Sequence, residues 1–242
     1  MSQNLQKGQH FLTNPKIIQK EIEISDIKST DKIIEIGAGE GALTKELAKL
    51  SNKILIFEID KQYKDKLEPI KSKNLTIIYD NAIIFPWINY NKIIANIPYN
   101  LSEQILNKSI IEDISSLTLI VGEKFKIILE NNKTKSGVLA NIFYQINYIK
   151  KIDKKEFIPS PRVNSWLIKL TSREQNLKTQ LIKSILQKNG KTKNAIIYSL
   201  VEQGKTKNEA KEIIKEINLS EKVLDKSVKK ITTNTILKLY NF

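Results

Sequence analysis

Cysteine is absent from the 242 residues. That removes disulfides and thiolate zinc sites, and it excludes any mechanism that uses a cysteine nucleophile. Histidine occurs once, as His10, so no multi-histidine metal site can be built and a Ser/His/Asp triad would rest on that residue alone. No metal is expected. Long apolar runs are also missing, and Met1 to Lys7 lacks the apolar centre of a secretory signal, which points to a cytoplasmic protein with no membrane span. Glycine is sparse, with eight residues in the whole chain.

Positive charge is abundant. The formal net charge is +14 and the isoelectric point is near 9.6, which suits a polyanionic partner because each lysine set on a phosphate releases counterions. A general lysine-rich habit would give the same total, but the excess is uneven. Residues 171–242 hold 15 Lys and Arg against 7 acids, while residues 1–170 hold 25 against 19.

From Lys32 onward short apolar runs alternate with helical stretches, the pattern of βα units on a parallel sheet. Strands are expected at 32–36, 53–59, 75–79, 92–95 and 117–121, and helices at 42–50, 62–70 and 102–111. Residues 147–157 and 164–170, joined by a proline-bearing loop, should form an antiparallel hairpin at the sheet edge, making roughly seven strands. After Thr171 the texture becomes lysine-rich and amphipathic, with Leu177, Leu181 and Ile185, then Ile196 and Leu200, then Ala210, Ile213, Ile214 and Ile217 at helical spacing. The expected division is residues 1–171, an α/β domain, and residues 172–242, a small basic helical domain.

Three of the eight glycines fall in Glu35-Ile36-Gly37-Ala38-Gly39-Glu40-Gly41-Ala42-Leu43-Thr44, after a strand and before a helix, where backbone can approach a ligand without a Cβ clash. A tight turn with no ligand would look the same. Glu58 closes the next strand, in position to accept from both hydroxyls of a ribose. Asp80 closes the third, where its carboxylate can meet an adenine amino group and the following backbone amide, at Asn81, a ring nitrogen. Singly, each acid could be a helix cap. Together the turn and the two acids describe a pocket for S-adenosylmethionine.

Asn96-Ile97-Pro98-Tyr99 follows the apolar run Ile93-Ile94-Ala95 and so sits at the carboxyl end of a strand, where open α/β sheets bind ligands. An adenine amine is a poor nucleophile because its lone pair is delocalised. Hydrogen bonds from its N–H groups to the Asn96 side chain and the Pro98 carbonyl would favour rehybridisation, and Tyr99 can stack on the base. An ordinary turn with a core tyrosine is the bland alternative.

With these segments in view the chain resembles the ribosomal RNA adenine N6-dimethyltransferase family, the KsgA type with its Erm relatives. The likeness adds Gly8-Gln9-His10-Phe11-Leu12 as an N-terminal cofactor motif and Phe157-Ile158-Pro159-Ser160-Pro161-Arg162-Val163-Asn164-Ser165 as a late loop. It implies a Rossmann-like seven-stranded class I methyltransferase sheet with a small C-terminal all-α domain. It implies a cofactor set of Gln9, His10, Leu12, Gly37, Gly39, Glu58, Ile59, Asp80, Asn81 and Asn96, with S-adenosylhomocysteine as product and no metal. The catalytic set would be Asn96, Pro98, Tyr99 and Phe157, the last stacking on a flipped base opposite Tyr99; on its own, Phe157 reads equally as a core strand residue. Segments 121–126 and 135–139 depart from the family pattern. Gly190-Lys191-Thr192-Lys193-Asn194-Ala195 and the ending 236–241 resemble the small-subunit branch. The implied partner is small-subunit ribosomal RNA within an assembling particle, the implied state a monomer, and the implied product two adjacent dimethyladenosines near the RNA 3′ end. The alternatives are an Erm-type enzyme of large-subunit RNA, a DNA adenine methyltransferase, and a non-catalytic RNA-binding factor of the same fold.

Overall fold

The computed structural model describes residues 10–50, 52–70 and 72–242, which fall into two compact units. The first contains the described residues up to Ile127 together with Tyr144–Ser172, and the second contains Ile128–Phe143 and Arg173–Phe242.

The first unit is built on a seven-stranded sheet. In chain order its strands are β2 (Lys32–Ile36), β3 (Lys53–Phe57), β4 (Leu75–Ile78), β5 (Lys92–Asn96), β6 (Ser116–Gly122), β7 (Tyr144–Ile152) and β9 (Ser165–Ser172), and the spatial order is β4-β3-β2-β5-β6-β9-β7. Strands β2 to β6 are mutually parallel, while β9 runs antiparallel to both β6 and β7. Their composition follows from burial on both faces: β6, Ser-Leu-Thr-Leu-Ile-Val-Gly, is buried throughout, and β2, Lys-Ile-Ile-Glu-Ile, is buried after its first residue. β2 lies between β3 and β5, so the connections from β2 and β5 leave in opposite senses and a crevice opens between their carboxyl ends.

Two short strands outside this sheet, β1 (Phe11–Leu12) and β8 (Phe157–Ile158), pair antiparallel with Leu12 opposite Phe157. Helix α1 (Pro15–Ile24) follows, with Asn14 capping it by accepting from Lys16 N–H and Pro15 in its first turn. Helix α2 (Ala42–Leu47) follows the glycine turn, and α4 (Ser102–Ile111) follows β5 through a short turn and buries Ile105, Leu106 and Ile110.

Several expected boundaries shift. The strand from Lys53 stops at Phe57 because the Glu58 side chain takes two backbone amides across the turn, Gly39 N–H and Asp60 N–H. The third strand stops at Ile78, so Asp80 lies two residues beyond it. The expected helix 62–70 is a one-turn α3 (Lys64–Leu67) between 3-10 turns, the second of which contains Pro69, a residue with no N–H to continue a helix. The expected strand 147–157 is two elements: β7 ends at Ile152, where the Asp153 side chain caps a 3-10 turn, and Phe157 belongs to β8.

The second unit is helical: α6 (Lys135–Phe143), α7 (Leu177–Gln187), α8 (Thr192–Glu202), α9 (Lys207–Ile217), α10 (Glu221–Leu224) and α11 (Thr233–Asn241). Helix α5 (Glu123–Glu130) spans the division between the units. Reciprocal capping boxes start α7, Asn176 with Thr179, and α9, Thr206 with Glu209. The division expected at 171/172 missed that α6 joins this unit. The reason is local: α6 is apolar through Val138, Leu139, Ala140, Ile142 and Phe143, it packs on α11, and Arg173 donates from its backbone to Phe143 O and from its side chain to Asn141 O.

Candidate active site

A cavity of about 200 Å³ opens at the carboxyl ends of β2, β3 and β5. One wall is the glycine turn. Gly39 has φ of +53°, and a Cβ there would lie 2.5 Å from the Phe11 ring, so both conformation and space call for glycine. The Gly39 amide donates to Glu58 Oε2 at 2.7 Å while Glu58 Oε1 accepts from Asp60 N–H at 2.8 Å. This fixes a buried carboxylate, which the Ile59 backbone also reaches, with acceptor capacity left for a ligand. Burial is the chief cause that raises the Glu58 pKa. Ile59 is exposed and edges the same cavity. Asp80 is exposed, accepts from Asn81 N–H at 2.6 Å, and lines the cavity with Asn81 and Ile83.

The opposite wall comes from the N-terminal segment. His10 and Leu12 reach the cavity, held there by the late loop: His10 Nδ1 donates to Pro159 O at 2.8 Å, and Thr13 N–H donates to Glu156 O at 2.9 Å. Two motifs almost 150 residues apart in sequence thus form one ribbon beside the glycine turn. The expected cofactor residue Gln9 lies outside the described residues.

The floor is Asn96 to Tyr99. The Asn96 side-chain amide donates to His10 O at 3.2 Å, which leaves its Oδ1 as an acceptor. The Pro98 carbonyl already takes Leu101 N–H at 2.9 Å and keeps a second lone pair. Tyr99 is locked on three sides. Its hydroxyl shares a hydrogen bond with Ser165 Oγ at 2.6 Å, its ring stacks on His10 with centroids 5.8 Å apart, and it lies on Gly122, where a Cβ would come within 2.9 Å. Gly122 and Ser165 are cross-strand partners on β6 and β9, so the sheet itself supplies the platform and the hook.

Phe157 requires a correction. Its side chain is 2% exposed, it packs with Leu12, Ile152 and Leu167 in the core, and it is not among the residues lining the cavity. Strand pairing explains this, because the β1–β8 register turns the ring inward opposite Leu12. The core reading of Phe157 is the one seen, and the aromatic neighbour of Tyr99 is His10.

Among the cavity residues that sequence reasoning missed are two buried acids, Glu21 on α1 and Glu35 on β2, both 1% exposed. Glu35 accepts from Thr44 Oγ1 at 2.8 Å, and burial pushes its carboxyl up to about 8. Glu21 Oε1 has no hydrogen-bond partner among the described residues. The described residues lining the cavity include five acids and no Lys or Arg, in a chain whose net charge is +14. That polarity suits a ligand bearing positive charge, and S-adenosylmethionine carries a sulfonium and an ammonium. Among the described residues no cluster of histidine and acidic side chains is arranged for a metal ion.

Comparison with known proteins agrees with this geometry. The family model described as ribosomal RNA adenine dimethylase matches residues 1–240. The chain is 34% identical over 234 residues to "Probable ribosomal RNA small subunit methyltransferase A" of Methanococcus maripaludis strain C7, covering 90% of this chain and 89% of that one. It is 38% identical over 177 residues to the rRNA adenine N-6-methyltransferase of Escherichia coli, covering 71% and 72%. Among solved structures a dimethyladenosine transferase from Plasmodium falciparum superposes with a TM-score of 0.63 at 22% identity, over 95% of this chain and 96% of that one. The 23S rRNA methyltransferase ErmE does so with 0.59 at 17%, over 96% and 98%. At these identities the structural likeness is one of fold, a class I methyltransferase sheet.

Proposed function

Because the chain belongs to the ribosomal RNA adenine dimethylase family, we propose that it methylates N6 of two adjacent adenosines in the 3′-terminal hairpin loop of small-subunit ribosomal RNA, using S-adenosylmethionine. The observation that carries the reading is the Asn96–Tyr99 rim of an acid-lined cavity at the switch point of the sheet. Glu58 would hold the ribose, Asp80 and Asn81 the adenine, and His10, Leu12 and the turn at Gly37 and Gly39 the remainder of the cofactor. Bound there, S-adenosylmethionine supplies a methyl group on a positively charged sulfur.

The chain's own residues act on the other reactant. In the first transfer Asn96 Oδ1 and the free lone pair of Pro98 O accept the two amine hydrogens of the target base, and in the second one of them holds the single hydrogen that remains. Each bond draws the amine lone pair out of conjugation and toward the methyl carbon, the N–C bond forming as the S–C bond breaks and the surplus amine proton passing to solvent. Tyr99 offers a rigid ring for a base taken out of its stack, on the side where His10 now stacks and must give way, worth about 1–3 kcal/mol of stacking. Both acceptors are preset by bonds to His10 O and Leu101 N–H, so little reorganisation accompanies the reaction. No protein nucleophile is required.

The small-subunit target is favoured over the large because the similarity to the Methanococcus relative extends over 90% of the chain, against 71% for the Escherichia coli one, an extent that must include most of the basic helical unit. In our reading that unit contacts RNA phosphates, the substrate is an assembling small subunit, and the enzyme is a cytoplasmic monomer. Among the described residues no helix is long and apolar enough to cross a membrane. The test is incubation with labelled cofactor and, separately, immature small subunits, large-subunit RNA and a DNA oligonucleotide. Label should enter the small subunit as dimethyladenosine at neighbouring positions; preferential labelling of either other substrate would overturn the assignment.

A further inference from the structure

The cavity holds a buried carboxyl that the proposed chemistry does not use. Glu21 stands on the apolar face of α1 with Ile17 and Ile18, is 1% exposed, lines the cavity, and has no hydrogen-bond partner for Oε1 among the described residues. A buried acceptor left unsatisfied costs about 1–3 kcal/mol, more if charged, so its retention in the wall of a ligand cavity calls for a partner that the ligand brings. Its neighbour is a second acid. Glu35 is equally buried, and its carboxyl is held by Thr44, through the hydroxyl to Oε2 and through the backbone. None of the ion pairs among the described residues involves Glu21, Glu35 or Glu58.

Resting on the cofactor reading above, we propose that Glu21 and Glu35 form a carboxyl pair that binds the ammonium group at the amino-acid end of S-adenosylmethionine and gives up a proton when that cation arrives. The topology selects this end. Glu58 and Asp80 follow β3 and β4, on the side assigned to the nucleoside, whereas Glu35 is on β2 and Glu21 on the helix that follows the His10–Leu12 segment.

Electrostatics agree. Burial, and then the charge of Glu35, raise the Glu21 carboxyl well above its ordinary range, and Glu58 adds to the burial that raises Glu35. The elements packed most closely on α1 are α2 and β6. β6 carries no titratable side chain, Lys45 on α2 is exposed, and Glu46 on α2 pairs with Lys49. Burial thus favours the protonated form of both carboxyls, and a cation placed against them favours ionisation. Because the carboxyls bind the cation in their charged form, affinity should rise with pH through their titration.

Calorimetry on the full chain tests this. The ligands are S-adenosylmethionine and 5′-methylthioadenosine, which shares the nucleoside and lacks both the ammonium and the sulfonium charge; the buffers are two of different ionisation enthalpy, between about pH 5.5 and about pH 7.5, where the ligand's own amine stays charged. For the wild type we expect proton release with S-adenosylmethionine only, and tighter binding as pH rises. Glu21→Gln, close in shape, should lose roughly tenfold in S-adenosylmethionine affinity at the upper pH and flatten the profile, with 5′-methylthioadenosine binding unchanged. The inference is overturned if wild-type binding releases no proton, a result needing no variant. It is also overturned if Glu21→Gln matches the wild type at every pH, or if both ligands weaken by one factor, which would mark a structural role. If the wild type binds neither ligand, the cofactor reading itself has failed.

Discussion

Replacing Gly122 with alanine adds one methyl group that touches neither ligand, and the structure says what it meets. The new Cβ would lie 2.9 Å from Cδ2 and Cγ of Tyr99 and 3.2 Å from Cδ1. Comfortable carbon contacts are about 3.5–4.0 Å, so the ring must retreat by roughly half an ångström or more. Gly122 is the last residue of β6, paired with Ser165, and cannot yield without disturbing the ladder. The tyrosine therefore moves, stretching its 2.6 Å hydrogen bond to Ser165 Oγ. Overpacking of this kind costs about 1–3 kcal/mol, which should lower the melting temperature by several degrees. If Tyr99 is the face on which the target base stacks, displacement also removes much of a contribution of about 1–3 kcal/mol, and kcat/KM for methyl transfer should fall by roughly 5- to 150-fold. Cofactor affinity by calorimetry should fall by a smaller factor, because Gly122 is not among the residues lining the cavity and the change reaches the cofactor residue His10 only through its stacking on Tyr99. A variant that melts lower yet methylates at the wild-type rate would refute the stacking role of Tyr99.

Other consequences can be checked alongside. Gly39→Ala forces a Cβ to 2.5 Å from Phe11 at a φ of +53°; cofactor binding should weaken at least tenfold by calorimetry, and unchanged affinity would argue that the turn does not touch the ligand. Glu35 holds a proton in the folded state up to about 8 against 4.5 ordinarily, so the stability it contributes is full below about 4.5 and is lost as pH rises through about 8. The gap between wild type and Glu35→Gln in urea midpoint should accordingly shift in favour of the variant across that window, by up to a few kcal/mol, and no shift would contradict the buried assignment. RNA affinity should fall steeply with salt, log K against log salt having a slope of several units; a flat dependence would remove the basic helical unit from the interface.

Much of this architecture could be read in the chain because apolar periodicity reports burial directly. Strand 32–36 and helix 102–111 fall where expected, since each is bounded by a strong local signal: the glycine turn after Ile36 and the buried face of Ile105, Leu106 and Ile110. Misplaced boundaries lie where tertiary contacts decide. Glu58 ends β3 by reaching Gly39, 19 residues away, and Phe157 is drawn from the expected hairpin by pairing with Leu12. Neither partner is visible in a local window. Helix α6 joins the helical unit through contacts to α11 and Arg173, which periodicity alone does not assign.

The candidate site divides in the same way. Residues that needed only a place at the end of a strand, Glu58 and Asn96, line the cavity as read, whereas Phe157 needed a side-chain direction that only strand register supplies. Gly122 and Ser165 were in view as letters, but their shared grip on Tyr99 comes from cross-strand pairing. Glu21 did leave a trace. It occupies an apolar position, three and four residues beyond Ile18 and Ile17 on the buried face of a helix, and an acid in such a place asks for a partner.

The claim at the centre is that Asn96 Oδ1 and Pro98 O make an adenine amine reactive toward a methyl donor held by the neighbouring acids. Mass spectrometry of nucleosides from immature small subunits, incubated with S-adenosylmethionine and either the wild type or Asn96→Ala, tests it most directly. The account predicts N6,N6-dimethyladenosine with the wild type and none above background with the variant, although the variant still binds RNA. Methyl groups on any other atom, or undiminished dimethyladenosine from Asn96→Ala, would contradict it.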